Sequence, residues 1–214
     1  MRKTSYFLTF FAVAISLAFN VISVLRPDWL VYQSSVFGSR ITIQYGLNRR
    51  CERSLIVLPA PDGGRMEYSD YKCRPFPTAK LDECDEDNKL FCVAWTTAGY
   101  FSQLSLGFAG VACLAIIFGV TTHSRRRRIW RAVAGLVWLH ASFQAAAFAV
   151  ITDLYVNSRF PTFEQARPGV GYVLNTLSWV FSVLISLGVF VTGLAASRGH
   201  RWAAGNRAYQ PISG

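Results

Sequence analysis

Four long stretches of this chain carry no charge. They lie between Lys3 and Arg26 (22 residues), Lys89 and Arg125 (35), Arg131 and Asp153 (21), and Arg167 and Arg198 (30), and all are rich in Phe, Leu, Val, Ile and Ala. About 20 apolar residues in helical conformation cross the roughly 30 Å of bilayer hydrocarbon. No water is present there to satisfy backbone amides, so each stretch is expected to be a helix. The pattern predicts spans over residues 5–25, 98–121, 130–152 and 171–195. These leave an N-terminal segment 1–4, a long first loop 26–97, a short basic loop 122–129, a second loop 153–170 and a tail 196–214.

The long loop changes period. Arg40-Ile41-Thr42-Ile43-Gln44-Tyr45 alternates polar and apolar, as a half-buried strand does. Trp29–Tyr32, Ser54–Leu58 and Glu67–Phe76 are further strand-like runs, and Pro59-Ala60-Pro61-Asp62-Gly63-Gly64 is a turn. The expected fold is therefore an all-α membrane four-helix bundle carrying a small antiparallel sheet of three or four strands.

Charge gives this arrangement a direction. The N-terminus, first loop, basic loop, second loop and tail carry +2, 0, +5, 0 and +3, which accounts for the whole net charge of +10. Lys and Arg concentrate on cytoplasmic segments. Both termini and the basic loop are thus expected in the cytoplasm, with the long loop outside, in a multi-pass protein of the plasma membrane. The excess positive charge reports topology and gives no reason to expect nucleic-acid binding. Arg2-Lys3 followed by Phe7–Ile15 also resembles a signal peptide with a small-residue site at Ser16-Leu17-Ala18. The apolar run continues to Leu25, which favours a retained helix.

Four of the five cysteines, Cys51, Cys73, Cys84 and Cys92, fall in the long loop, and Cys113 falls within the second span. Four cysteines outside the cell point to two disulfides, for which three connectivities exist. Cys51–Cys73 with Cys84–Cys92 is preferred, because the first would tie adjacent strands and the second would close the acidic stretch Asp82–Asp87. No CxxC or His-rich spacing suggests a metal. No nucleophile motif, intramembrane carboxylate pair or phosphate loop is present either, so the chain is read as a non-enzyme without a cofactor.

Polar residues within the spans form the remaining candidates. Asn20, Gln103, Gln144 and Asn175 lie towards the outer side of their spans, and His140, the one ionisable residue near mid-membrane, shares a face of its helix with Gln144, as Ser16, Asn20 and Ser23 share one of theirs. They could line a small polar site. The simpler expectation is hydrogen bonding between helices, at about 0.6–2 kcal/mol per contact. Ala141/Ala145/Ala149 and Ser178/Ser182/Ser186 are small-residue stripes suited to close helix packing or to a partner helix. Arg125, Arg126, Arg127, Arg128 and Arg131 are candidates for anionic lipid headgroups. Membrane lipids, other membrane proteins and further copies of the chain are the expected partners.

The order of parts is similar to that of the claudin superfamily, which includes peripheral myelin protein, epithelial membrane proteins, the lipoma-fusion-partner-like proteins and fungal relatives of the PalI type. Trp29 soon after the first span matches. Gly46-Leu47-Asn48-Arg49-Arg50-Cys51 resembles the family's Gly-Leu-Trp-x-x-Cys hallmark, with Cys73 as its second cysteine. Gly169–Leu174 followed by Ser178-Trp179 resembles the start of the family's fourth span. Asn48 replaces the hallmark Trp, the cysteines stand 22 positions apart, Cys84 and Cys92 are additional, and the Pro211–Gly214 ending lacks the PDZ-binding pair of tight-junction claudins. These departures point to a divergent member, such as a PalI-type relative. The resemblance implies a non-enzymatic membrane organiser or adhesion-type protein. The alternative is an auxiliary or sensing subunit of a signalling or channel complex, and a small transporter fits least well.

Overall fold

The computed structural model describes residues 3–36, 39–59, 65–85, 87–120, 123–200 and 203. The turn expected at 59–64 lies outside them except for Pro59. Among the described residues the fold has four α-helices, five strands and one short 3-10 turn: α1 Lys3–Leu25, β1 Leu30–Val36, β2 Ser39–Tyr45, β3 Arg49–Pro59, β4 Arg65–Pro75, α2 Lys89–Val120, α3 His123–Val156, the 3-10 turn Phe163–Gln165, β5 Ala166–Pro168 and α4 Val170–Ser197. All four helices are long and apolar enough to cross a membrane. The chain is a four-helix bundle with a small antiparallel sheet, a multi-pass integral membrane architecture.

Two bounds differ usefully from the sequence expectation. The arginine run, expected in a loop at 122–129, occupies the first turns of α3, which begins at His123. Arginine is a good helix former, so a helix need not stop where its apolar stretch does. Likewise α2 starts at Lys89, nine residues before the expected span.

The sheet has the order β4-β3-β2-β1-β5, with every pairing antiparallel. β5 was not anticipated. It pairs Leu30, Val31 and Tyr32 with Pro168, Arg167 and Ala166, and so covers the edge that β1 would otherwise leave open. β1 itself runs on through Gln33-Ser34-Ser35, because its ladder with β2 continues to Val36↔Ser39.

The chain divides into two compact units. One comprises Met1–Asn20, Gln103–Ala145 and Leu177–Gly214. It is helical, with Val13, Ile116, Val133, Val137 and Val189 among its buried side chains. Gly193 sits against the Trp130 ring with no room for a Cβ.

The other unit, Val21–Ser102 and Ala146–Thr176, holds the sheet and the adjoining helix ends. Its core is aromatic. Tyr45, Phe76, Phe91, Trp95, Phe160 and Phe163 meet in mostly edge-on and tilted contacts, with centroids 4.7–6.1 Å apart. Such pairs add about 0.5–1.5 kcal/mol each beyond the area they bury. Tyr45 keeps its hydroxyl satisfied by Thr162 Oγ1 at 2.7 Å.

Trp29 anchors the other end of this core. It is fully buried, its indole N–H donates to the Ser23 carbonyl at 2.8 Å, and Tyr172 meets it edge-on. Ser23 Oγ in turn donates to the Gly171 carbonyl at 2.6 Å. A Cβ on Gly171 would lie 2.6 Å from Trp29 Cδ1, so only glycine lets α4 begin this close to the ring.

Candidate functional site

The sheet-bearing unit offers two differently built faces, and strand register assigns residues to them. Side chains alternate along a strand. One face therefore carries Ile43 and Tyr45 of β2, Arg50 of β3 and Arg74 of β4, through the pairs Tyr45↔Arg50 and Arg50↔Arg74. This face packs on the aromatic core. The opposite face carries Arg40, Thr42 and Gln44, then Arg53 and Leu55, then Ser69 and Tyr71, through the pairs Arg40↔Leu55, Thr42↔Arg53, Arg53↔Tyr71 and Leu55↔Ser69.

On the core-facing side, the acidic stretch resolves into one structural residue and several surface ones. Asp82 is buried, whereas Glu83, Asp85 and Asp87 are exposed. Its carboxylate accepts hydrogen bonds from Arg74 Nη1 at 2.7 Å and Nη2 at 2.5 Å, from the Thr78 amide at 2.8 Å and from Thr78 Oγ1 at 3.0 Å. Arg50 Nη1 stands 3.9 Å away. Burial pushes this carboxyl up. The hydrogen bonds from Arg74 and Thr78 outweigh it and hold the group below the usual aspartate range. The two guanidinium groups also lie over aromatic rings, Arg50 over Tyr45 at 5.3 Å and Arg74 over Phe76 at 5.8 Å.

Both disulfides form with the preferred pairing. Cys51–Cys73 links directly paired residues of β3 and β4, and Cys84–Cys92 ties the acidic turn to α2.

The hallmark-like residues have concrete tasks. Gly46 has no space for a side chain, since a Cβ would come within 2.7 Å of Pro27 Cα and 2.9 Å of the Arg26 carbonyl. Its own carbonyl accepts from the Trp95 indole at 3.3 Å. Leu47 is buried, and Asn48 is exposed.

The opposite face of the sheet forms an open hollow of about 760 Å³ lined by Gln33, Arg40, Thr42, Arg53 and Tyr71 among others. Arg167 of β5 shares this face and donates to Gln33 Oε1 at 2.8 Å.

In the helical unit, four of the five polar candidates need separate treatment. Asn20 and His140 meet through Ser105: Asn20 Nδ2 donates to Ser105 Oγ at 2.6 Å, and His140 Nδ1 lies 2.8 Å from the Ser105 carbonyl. A carbonyl oxygen only accepts, so Nδ1 carries a proton. Nε2 then faces Ser16 Oγ at 3.2 Å, and Ser16 Oγ lies 2.9 Å from Ser178 Oγ and 2.6 Å from Ser182 Oγ. Gln144 is also fully buried in this unit. Gln103 is not part of the group. It is exposed, because the packed side of α2 follows Ala98, Ser102, Ser105, Ala109 and Ala112. Asn175 is buried in the sheet-bearing unit.

Ser105 was missed in the sequence, and the small-residue period of α2 was the signal that could have found it. Of the two stripes, Ser178, Ser182 and Ser186 are all buried, while Ala141 is buried, Ala145 half-buried and Ala149 exposed. Among the basic candidates, Arg131 is exposed with its guanidinium over the Trp130 ring. Arg125 to Arg128 are placed by their helical backbone alone.

A contrast tests this assignment. His140→Ala removes two buried partners, and should lower thermal stability in detergent by about 1–3 kcal/mol at the rates measured for polar contacts between membrane helices. Gln103→Leu should leave the melting curve unchanged or move it slightly upward. Equal loss in both variants would contradict the placement.

No known family model and no curated protein matches this chain.

Proposed function

We propose that this chain is a divergent claudin-like membrane organiser, non-enzymatic, acting through protein contacts of its sheet-bearing unit and its helices. The observation that carries the reading is the joint task of the hallmark-like residues. Trp29 pins β1 to the first and fourth helices, Gly46 permits the tight return into β3 beside Pro27, and Cys51–Cys73 locks the outermost strand pair. A rigid, covalently tied sheet held against helix ends is suited to presenting a fixed surface to another protein.

In this reading the sheet faces the outside of the cell, both termini face the cytoplasm, and the protein resides in the plasma membrane. The +2, +5 and +3 segments on alternate sides support that orientation. The arginines at the start of α3 then meet the anionic inner leaflet, where each adds about 1 kcal/mol of attraction.

Proximity labelling in the native cell, combined with purification in a mild detergent, tests the proposal. The expected result is self-association together with enrichment of membrane proteins at cell contacts. Recovery of one stoichiometric channel or receptor subunit instead would assign the chain to the auxiliary class. A strictly monomeric protein spread evenly over the surface would overturn the organiser reading.

A further inference from the structure

The sheet-bearing unit holds two surfaces of opposite charge that one molecule cannot bring together. On the hollow face stand Arg40 and Arg53, both exposed, with Arg167 at its β5 side. Neither Arg40 nor Arg53 forms an ion pair with a described residue, and no carboxylate is among the described residues lining the hollow. Arg40 and Arg53 sit diagonally on adjacent strands, an arrangement in which like charges repel unless an anion lies between them. Around them Thr42, Gln44 and the Tyr71 hydroxyl supply further hydrogen-bonding groups. A planar guanidinium is the side chain best shaped to grip a carboxylate.

The complementary surface is the turn that follows β4. Glu83, Asp85 and Asp87 are exposed and form no ion pair with a described residue. The turn is held stiffly, by Asp82 on Arg74 and by Cys84–Cys92 on α2. Arg74 belongs to the core-facing side of the sheet, and Arg53 to the other. The acidic turn is thus clamped on the side away from the arginine hollow of its own chain.

We propose that the arginine hollow docks the acidic turn of a second copy of this chain. Because donor and acceptor surfaces lie on opposite sides of one sheet, the contact is head to tail, and repeats into a row or a ring instead of closing as a two-fold pair. The inference rests on the organiser reading and names its partner and surface.

Charge exchange in the full-length protein, reconstituted in liposomes and followed by energy transfer between labelled copies, tests it. Arg40→Glu/Arg53→Glu should weaken self-association roughly tenfold or more, and Glu83→Lys/Asp85→Lys should do the same. Mixing Arg40→Glu/Arg53→Glu with the wild type should still give pairs, since its acidic turn is intact. A chain carrying both pairs of changes should regain association with itself. Misfolding cannot produce that recovery. Association that stays at wild-type strength in each single-surface reversal taken alone, and in 0.5 M salt, would overturn this docking while leaving the organiser reading in place. A wild type that never associates would overturn both.

Discussion

Replacing Trp29 with alanine is expected to destabilise the sheet-bearing unit by about 3–5 kcal/mol, the range for removing a large buried aromatic side chain. Three losses combine. The ring is fully buried, so its removal leaves a cavity. The Ser23 carbonyl at the end of α1 loses its indole donor. Tyr172 loses its edge-on neighbour. The packing also predicts a coupling. Gly171→Ala should be costly in the wild type, because the new methyl would meet the Trp29 ring at 2.6 Å. In the Trp29→Ala background the same methyl enters the vacated space and should cost little or stabilise. Unfolding midpoints of the four proteins in detergent close this double-mutant cycle. An unchanged midpoint for Trp29→Ala, or additive effects across the cycle, would refute the account of α4 being seated on this ring.

Some of this arrangement is legible in the chain and some is not, for reasons that differ by residue. The four helices are visible because hydrocarbon demands long charge-free segments, and that demand leaves a one-dimensional trace. β2 is visible for the same kind of reason, since a strand with one buried face alternates. β5 leaves no such trace. Ala166-Arg167-Pro168 is a strand only because β1 has an unpaired edge beside it, a condition set by residues more than a hundred positions away. The acidic run shows a similar limit. Composition treats Asp82, Glu83, Asp85 and Asp87 alike, and only tertiary placement buries the first and exposes the others. Cys51 and Cys73 illustrate an intermediate case: the preferred pairing followed from expecting adjacent strands, and the register Cys51↔Cys73 realises it. The arginine hollow was invisible as a unit, because Arg40, Arg53 and Arg167 come from three strands whose relative register the sequence does not print.

Asp82→Asn is expected to cost about 2–4 kcal/mol at neutral pH, somewhat less than breaking a fully buried pair, since Arg74 and Arg50 retain some access to water. The substitution keeps the shape of the side chain but removes its charge and turns one accepting oxygen into an NH2 donor, so the loss combines the ion pair with one hydrogen bond. Its pH dependence has a definite sign. The folded carboxyl titrates below the ordinary range, burial being outweighed by the hydrogen bonds from Arg74 and Thr78. A group whose folded pKa is depressed contributes its full stabilisation above the unfolded value, near 3.9, and loses it as pH falls through the folded pKa. The gap between wild type and Asp82→Asn should therefore be largest near pH 7, and should narrow below about pH 4. Asp70→Asn is the control, because its partner Lys72 is solvent-exposed, and it should leave the midpoint nearly unchanged. Unfolding midpoints between pH 7 and pH 3 separate the two cases. A gap near zero at every pH in that range would mean that Asp82 acts through its shape alone, and the turn bearing Glu83 and Asp85 would then owe its position to Cys84–Cys92 and not to the Arg74 pair.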